Sequence, residues 1–569
     1  MKTILSLLLI VCIHVLGRGQ TYFNNLYDYN NQNQQVFNFH QLNDGSFQLN
    51  FNSFLLSPLN VNISLMSFDQ FGNELFVNHF NKGSLISPLA YADGSAVLYN
   101  GITNFITTTP YSSGANSSLQ AELIKVSDLD TVTTYLMGGA IDTVSVILAM
   151  KHVYNNLILA GVQSTSNNND GEDFWLTKCD TNGQVIWQNW YGGSGQDRLL
   201  SMDTTGDGGY VLCGRTSSIE YSASYQNTNF LVVFVDSMGN TIISRTLGGP
   251  NNEGGYLRTL SDTSYLLYGM QENNNGQNEI FVSKLNYLGS IIWQNTYTFG
   301  PYDNSVDDVE LVDDGFVFCG YSMDNYGDPN GLIMKTDFDG NLQWGRKYKP
   351  RANDNYLRDL QVMPDGGFIV AGFVYGDSIN VTSDAWIMRT NCLGFDGPPE
   401  ANATFQSLQG YNLMIEDLSK RYGTLYVDFG DGVQDTFPEQ VSPLFINHTY
   451  AQDSVYTIQI IAEACNGESD TLYYDFHATN TIGVEDYSPD IKFKIYPNPS
   501  DGKYTLEYEL TDSNAQITIH DIMGRVIQTH TLEGKKGKFK LDLQAEQNGV
   551  YILQLSNEKG QKTYKLMKQ

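Results

Sequence analysis

The chain has 569 residues and a formal net charge of −30; 41% of its residues are hydrophobic and only 17% are charged. This composition excludes a chain that is disordered along its length, and the length predicts about three to four domains. The negative charge argues against nucleic acid as a partner. Frequent Gly (53) and aromatic residues (12%) indicate an all-β protein with many tight turns.

The first residues have the features of a secretory signal peptide. Lys2 precedes an almost unbroken apolar run at residues 4–16. Small residues follow at alternate positions, which predicts a signal peptide at 1–19 with cleavage near Gly19 and Gln20. No later stretch reaches about 18 apolar residues, so we expect an exported protein without a membrane-spanning segment.

A two-part pattern recurs seven times between residues 20 and 397. Its first half is a short apolar strand, an Asp-Gly turn and an aromatic-aliphatic strand that ends in Gly, as at residues 202–214 and 362–372. Its second half is a strand of alternating polar and apolar residues, an Asp or Asn followed by a Gly turn, and a second strand that contains an aromatic residue, as at residues 332–344. Each half predicts a β-hairpin, so one repeat of about 50 residues has four strands.

Seven such repeats predict a seven-bladed β-propeller over residues 20–397. The repeat region begins with the first half of a repeat and ends with a second half. Strands from its two ends can therefore complete one blade. A linear solenoid is the competing arrangement. The repeats also resemble those of uncharacterised secreted proteins of Gram-negative bacteria, a resemblance that supplies no activity.

The tryptophans recur in register with the repeats. Trp187, Trp293 and Trp344 share one repeat position, and Trp175 and Trp386 share another. Residues that recur in register pack between blades, so we interpret them as structural. An aromatic platform for a sugar is the alternative.

Five cysteines follow the signal, an odd number that cannot all pair. They are too sparse for a disulfide framework. We expect Cys179, Cys213 and Cys319 to be buried thiols, and Cys392 with Cys465 to be a candidate bridge between domains.

The repeat pattern stops at a Pro-Pro pair, and residues 398–482 form a second predicted unit. They contain YVDFGDG and then NHTYAQDSVYTIQI. This segment resembles the PKD domain, an immunoglobulin-like β-sandwich, although Val427 stands where that family has Trp. We expect Asp428, Asp431 and His448 to be structural, because Asp side chains bond turn amides.

Residues 487–569 differ from the rest of the chain in charge and pattern. Short alternating strands with Gly turns predict a small β-sandwich. The segment resembles the type A C-terminal sorting domain of type IX secretion cargo in Gram-negative bacteria. The matching residues are Tyr496, Pro497, Asn498, Pro499, Gly524, Arg525, Gly549 and Tyr551.

This resemblance implies a secreted or outer-membrane surface location, with the type IX translocon as a partner. It also implies cleavage of the tail, followed by surface attachment or release. Gly524 and Arg525 would serve the fold or translocon recognition. An ordinary accessory sandwich is the alternative.

No catalytic or cofactor-binding residue is predicted, because no metalloprotease, serine-hydrolase, P-loop or Cys-x-x-Cys pattern occurs. Calcium is a possible cofactor: Asp203, Asp207, Asp337 and Asp339 lie at tight turns, but no complete calcium loop is present, so no metal site is assigned.

The leading hypothesis is a binding or adhesion protein that presents a propeller to an extracellular glycan or protein. A propeller glycan hydrolase or lyase that uses paired carboxylates is one alternative. A structural surface component is another. Residues 107–119 are rich in Ser and Thr, and we expect a flexible recognition loop or a linker there.

Overall fold

The computed structural model describes most of the chain after the signal segment. The described residues are 22–29, 32–56, 59–81, 96–99, 102–113, 116–127, 131–137, 143–165, 171–218, 220, 227–261, 263–376, 382–408, 411–439, 444–465, 467–479, 492–510, 514–522, 524–557 and 560–569. Within them the fold is all-β, with 42 strands. The same residues contain no helix with the length and apolar character to cross a membrane. Gly19 and Gln20, at the predicted signal cleavage site, lie outside these ranges.

The first 28 strands form six sheets. The chain begins with β1 (Phe23–Tyr27), and the first sheet is β2 (Asn33–Gln41), β3 (Phe47–Leu56), β4 (Leu59–Phe68) and β5 (Glu74–Asn81). The second sheet has eight strands: β6 (Ala96–Tyr99), β7 (Ile102–Ser113), β8 (Asn116–Ser127), β9 (Thr131–Met137), β10 (Thr143–Val153), β11 (Asn156–Thr165), β12 (Asp173–Asp180) and β13 (Val185–Tyr191).

The remaining four of these sheets have four strands each. The third is β14 (Asp197–Thr204), β15 (Tyr210–Thr216), β16 (Asn229–Val235) and β17 (Thr241–Leu247). The fourth is β18 (Glu253–Thr259), β19 (Tyr265–Glu272), β20 (Asn278–Leu285) and β21 (Ile291–Tyr297). The fifth is β22 (Asn304–Val312), β23 (Gly315–Met323), β24 (Pro329–Thr336) and β25 (Leu342–Tyr348). The sixth is β26 (Asn355–Val362), β27 (Phe368–Tyr375), β28 (Ser383–Thr390) and β1.

These six sheets close into a ring of the propeller type. Inner strands of neighbouring sheets contact one another in order, and β26 of the sixth sheet returns to β2 of the first. The first strand of the chain completes the last sheet: β1 pairs with β28, with Phe23 opposite Arg389 and Tyr27 opposite Ala385. Closure by strands from both chain ends is thereby confirmed, and the linear solenoid is wrong.

The number of blades stays a prediction. The strands group in fours seven times, but the second and third groups are continuous. β8 pairs with β10 in parallel, with Leu119 opposite Val144, and this pairing merges two groups into the eight-stranded sheet.

The turn chemistry explains why these segments form hairpins. The second-half glycines have φ between 74° and 80°, a region that favours Gly; they are Gly72, Gly183, Gly239, Gly289, Gly340 and Gly394. The preceding Asp or Asn caps each turn. Asp337 Oδ1, for example, accepts the N–H groups of Asp339 (3.0 Å) and Asn341 (2.8 Å). The Asp337 carboxylate therefore accepts hydrogen bonds from backbone N–H groups that the turn itself leaves without an acceptor.

The core of the ring lies between neighbouring sheets. The large buried side chains face the adjacent sheet, as propeller packing requires. Trp175 and Trp386 are buried in this way, with exposed fractions of 1% and 0%. Their predicted structural role is confirmed.

The described part of residues 107–119 is strand and not the flexible loop expected from its composition. Residues 107–113 belong to β7 and residues 116–119 to β8, and the two strands pair from Ile102 with Ser127 to Ser113 with Asn116. Thr and Tyr favour strands, and this preference outweighs the loop signal from Ser and Gly.

The rest of the chain folds into two further pairs of sheets. One pair is β29 (Ala403–Leu408), β30 (Asn412–Asp417) and β33 (Phe445–Thr449) against β31 (Thr424–Asp428), β32 (Gln434–Pro438), β34 (Ser454–Glu463) and β35 (Ser469–Ala478). The other is β36 (Lys492–Tyr496), β37 (Lys503–Glu509) and β40 (Lys536–Asp542) against β38 (Asn514–Asp521), β39 (Val526–Glu533), β41 (Gly549–Asn557) and β42 (Gly560–Lys568). Each pair encloses its own apolar core.

Cysteine pairing follows the expectation. Cys392, just after the ring, forms a disulfide with Cys465 in the middle pair of sheets. Cys179, Cys213 and Cys319 are free and buried. Burial raises the pKa of the Cys179 thiol to about 12, so this thiol stays protonated and unreactive at neutral pH.

Candidate functional site

A cavity of about 500 Å³ opens at the centre of the ring. Its walls come from the inner two strands of five sheets. The lining residues that carry the argument below are Arg198, Arg215, Gly254, Tyr256, Asp307, Tyr321, Tyr356, Arg358 and Phe373. Cavities of this size hold small ligands in other proteins.

The inner strands begin with a buried polar residue that fixes the loop before it. Asp197 Oδ2 accepts the N–H of Gly193 at 2.6 Å, and Asn304 Oδ1 accepts the N–H of Phe299 at 3.1 Å. The equivalent residues in the other sheets are Asn33, Glu253 and Asn355, all less than 9% exposed. Each of these side chains accepts a backbone N–H, whereas Asp197 Oδ1 and Glu253 Oε2 have no hydrogen-bond partner among the described residues.

A second device ties the inner strand of the fifth sheet to that of the sixth, and the sixth to the first. Asp308 lies at a bulge in β22, and its Oδ2 accepts the N–H of Leu360 in β26 at 3.0 Å. Asp359 does the same for Phe39 in β2, at 2.6 Å. Buried carboxylates at this position therefore join neighbouring sheets.

The residues that face the cavity do not repeat. The second residues of β14, β18, β22 and β26 are Arg198, Gly254, Ser305 and Tyr356, and the fourth residues are Leu200, Tyr256, Asp307 and Arg358. The scaffold thus repeats around the ring while the cavity wall changes at every sheet.

One side of the cavity is a neutralised ion pair. Arg358 Nη1 donates to Asp307 Oδ2 at 2.5 Å, and its guanidinium lies 5.4 Å from the Tyr356 ring centre and 5.3 Å from that of Phe373. Burial raises the pKa of Tyr321 to about 12, so its hydroxyl remains protonated. This side offers hydroxyl groups and aromatic edges.

The other side carries an arginine pair. Arg198 of β14 lies directly opposite Arg215 of β15 in the strand register. Neither has an ion-pair partner among the residues that the structure describes. Burial, and then the like charge of Arg198, lower the pKa of Arg215, and the negative charge of Glu172 offsets part of this effect.

Our sequence analysis named none of these residues. A signal was present at one position: when the repeats are placed in register, the fourth residue of the inner strand is Leu200, Tyr256, Asp307 or Arg358, which includes both signs of charge. A search for known catalytic motifs does not detect such a pattern.

The aspartates considered for calcium have other partners. Asp337 Oδ2 accepts the side-chain amide of Asn341 at 2.8 Å, and Asp203 Oδ2 accepts the N–H of Thr259 at 2.8 Å. Over the described ranges, no group of three or more His, Cys, Asp or Glu residues is placed to hold a metal.

The DFGDG and HTY residues of the middle segment have the structural roles that we expected. Asp428 Oδ1 accepts the N–H of Gly430 at 2.8 Å. His448 Nε2 lies 2.8 Å from Asp431 Oδ2, and its ring stacks on Phe429. The group holds a turn together.

The YPNP residues of the C-terminal segment hold the last strand. Asn498 donates to the carbonyl oxygen of Lys565 (2.6 Å), and its Oδ1 accepts the N–H of Met567 (2.7 Å). Tyr496, Pro497 and Pro499 lie exposed around it.

In the Gly524–Arg525 turn, Gly524 serves the fold and the Arg525 side chain is accessible to solvent. Gly524 has φ 78° and closes a turn on Asp521, whereas the Arg525 side chain is 78% exposed and forms an ion pair with that same Asp521. Gly549 begins β41, and Tyr551 is buried, with its hydroxyl donating to the carbonyl oxygen of Gln547 (2.7 Å).

Comparisons with solved structures give remote likenesses. They include PorZ, an essential bacterial surface component of the type-IX secretion system of Porphyromonas gingivalis (10% identity, 94% of this chain and 81% of that chain covered, TM-score 0.26). They also include the β-propeller domain of the Trilobed protease from Pyrococcus furiosus (11%, 65% and 95%, TM-score 0.36). A comparison with curated protein sequences finds no match.

The comparison with protein families identifies the C-terminal segment. Residues 494–569 match the secretion system C-terminal sorting domain. They contain the YPNP, Gly524–Arg525 and Gly549–Tyr551 elements whose geometry is described above. The segment is a type IX secretion sorting domain, and the chain that carries it is a secreted or outer-membrane surface protein.

Proposed function

We propose that this protein is a secreted or surface-displayed binding protein whose ring holds a small ligand in its central cavity. The supporting observation is the contrast between two sets of inner-strand positions. At the start of the inner strand, five of the six sheets keep a buried Asn, Asp or Glu whose side chain accepts a backbone N–H. Positions that face the cavity differ in charge and size, as expected where recognition and not folding selects the residue.

Hydrolysis of a glycan is less well supported at this cavity. Glycosidases use two carboxyl groups about 5–9.5 Å apart. Among the described lining residues, Asp307 is the single carboxylate, and it is already paired with Arg358. Binding without turnover fits these side chains better.

The test is a glycan array and a surface-extract pull-down with the full mature chain, with and without calcium. We expect a saturable ligand whose binding is lost in Tyr356→Ala, because this ring lines the cavity. Tyr473→Ala is the matched control, since Tyr473 is 64% exposed on the middle pair of sheets.

Three outcomes would replace the proposal. Binding that survives Tyr356→Ala would move the ligand away from the cavity. Turnover of a labelled glycan would make the protein an enzyme. Concentration-dependent self-association without any captured ligand would favour a structural surface component.

A further inference from the structure

We propose that the central cavity takes an anionic small molecule whose carboxylate, sulfate or phosphate group is held between Arg198 and Arg215. This inference rests on the proposed binding function and names the ligand class. The argument starts from the charges of the pair and proceeds to the space beside it.

The placement of the two arginines opposite each other lowers the stability of the free protein. Like charges directly opposite on antiparallel strands are destabilising, and Arg198 is opposite Arg215. No carboxylate of the described residues forms an ion pair with either. An oxyanion between the two guanidinium groups would accept hydrogen bonds from both and remove the repulsion.

Five of the other six arginines of the ring are paired with carboxylates, whereas Arg245 donates to the carbonyl oxygen of Leu288. The pairs are Arg258 with Glu310, Arg346 with Glu439, Arg351 with Asp384, Arg358 with Asp307, and Arg389 with Asp365. Acidic residues outnumber basic ones by 62 to 32, so carboxylates are abundant. An arginine pair without one, inside a cavity, is therefore a specific feature.

Space for the ligand lies directly beside Arg215. Gly254 of the next sheet presents no side chain there, and a Cβ at this position would be 3.6 Å from Leu200 Cδ1 and 3.8 Å from Arg215 Cβ. The opposite wall offers Tyr321 and the neutralised Arg358. The cavity thus has one cationic end and one neutral polar end, which suits an acidic group on a polar body.

The test compares matched sugars on the full mature chain by calorimetry and thermal shift. The probes are galactose, galacturonate, galactose 6-sulfate and galactose 6-phosphate, with inorganic sulfate alone as a fifth. We expect one or more anionic probes to bind and to raise Tm, while galactose does neither. The three anionic arms distinguish which oxyanion the site takes.

Variants assign the effect to the pair. Arg198→Gln and Arg215→Gln should each weaken anion binding roughly 10- to 100-fold, the loss expected for a charge-assisted hydrogen bond. Arg525→Gln is the matched control, because it removes the same charge from an exposed position. Arg198→Gln should also raise the Tm of the free protein at low salt, whereas an arginine with only a structural role would lower it.

In a second variant, a side chain of the protein itself provides the negative charge that the ligand would otherwise bring. Gly254→Glu places a carboxylate beside Arg215, with ordinary contact distances for its Cβ. We expect it to raise the Tm of the free protein and to block the anionic probes.

The inference is overturned if the arginine variants bind the anionic probes as tightly as the parent chain does. It is also overturned if galactose binds as well as its acidic counterparts; should Tyr356→Ala abolish that binding, the proposed function stands and only the ligand class fails. If no probe and no array glycan binds, both fail together.

Discussion

At the scale of single residues, four of the second-half glycines have two roles: Gly72, Gly239, Gly340 and Gly394. The positive φ of each closes its hairpin, and its carbonyl oxygen accepts hydrogen bonds from the preceding sheet. Tyr297 and Asn295 donate to the carbonyl oxygen of Gly340, at 2.5 and 2.9 Å, while Trp293 covers the glycine itself. Trp187 and Trp344 cover Gly239 and Gly394 in the same way. The predicted packing of these tryptophans between sheets is confirmed.

Gly340→Ala should therefore be more destabilising than an alanine at a turn that carries no such contact. A Cβ on Gly340 would lie 2.7 Å from Trp293 Cζ3, whereas Gly208, with φ 85°, has open space around it. Gly208→Ala should cost about 1–2 kcal/mol from backbone conformation alone. Gly340→Ala should exceed that by at least about 1 kcal/mol, measured by urea denaturation. Equal costs would mean that the tryptophan contact adds nothing.

His40 makes the first sheet sensitive to acid. Burial lowers the pKa of His40 from its usual value to about 4. Between about pH 6.5 and 4 the unfolded chain binds a proton that the folded chain does not, so stability is lost as the pH falls through this window, by up to about 1.4 kcal/mol per pH unit. His40→Gln should flatten the stability profile in that window. Parallel profiles for the two proteins would contradict this assignment.

At the scale of elements, β1 is the piece that completes the ring. It repeats the aromatic-x-Asn-x-Tyr pattern of β21 as Phe23, Asn25 and Tyr27, and all three meet Gly72 of the first sheet. Asn24 accepts a hydrogen bond from Trp386 Nε1 at 2.7 Å. One strand thus joins the sixth sheet by backbone pairing and the first by side chains.

A mature chain that begins at residue 28 should lose this closure and expose the edge of β28. We expect a lower Tm and aggregation, because an unpaired edge strand invites other chains. A peptide of residues 20–29 should restore Tm when added in trans. The same peptide with Ala at positions 23, 25 and 27 is the control, and equal rescue by both peptides would show that only backbone pairing matters.

The sequence predicted the hairpins well because Asp, Asn and Gly report local backbone geometry directly. It did not predict that residues 107–113 and 116–119 are strand, since Ser and Thr serve both loops and strands. The cavity escaped prediction for another reason. Arg198 and Arg215 become neighbours through strand pairing across a hairpin, and their relation to Asp307 and Arg358 depends on ring closure, which no local window contains.

At the scale of the whole molecule, the ring is tied to the middle pair of sheets at three points. The Cys392–Cys465 disulfide is one, and the Arg346–Glu439 ion pair (2.7 Å) is another. Tyr22, next to β1, donates a hydrogen bond to Glu468. The ring is therefore joined to the middle pair of sheets by a covalent bond in addition to the peptide chain.

Cys465→Ser should release this orientation while the ring stays folded. We expect faster proteolysis near residues 396–402 and a broader distribution of dimensions in small-angle scattering. Glu439→Gln, which removes a surface ion pair worth about 1 kcal/mol or less, is the control and should change neither. Unchanged proteolysis in Cys465→Ser would mean that the other two contacts suffice.

In the sorting domain, we expect one residue to serve folding and another to serve recognition by the translocon. Asn498→Ala should loosen β42, because it removes both hydrogen bonds from the Asn498 side chain to that strand, and export should fall together with protease resistance. Arg525→Gln should leave protease resistance unchanged, since its exposed pair with Asp521 contributes little. Lower export of Arg525→Gln would then report recognition by the translocon. A protease-sensitive Arg525→Gln protein would contradict the separation.

Pairing of β1 with β28 also imposes an order in time on the synthesis of the protein. Residue 23 emerges first, yet its partner at residue 389 follows roughly 360 residues later, a separation that makes closure slow. The sorting domain at 494–569 comes later still. A chain that ends before its ring is complete therefore also lacks the sorting domain. The order of segments along the chain thus prevents the export of unfinished copies.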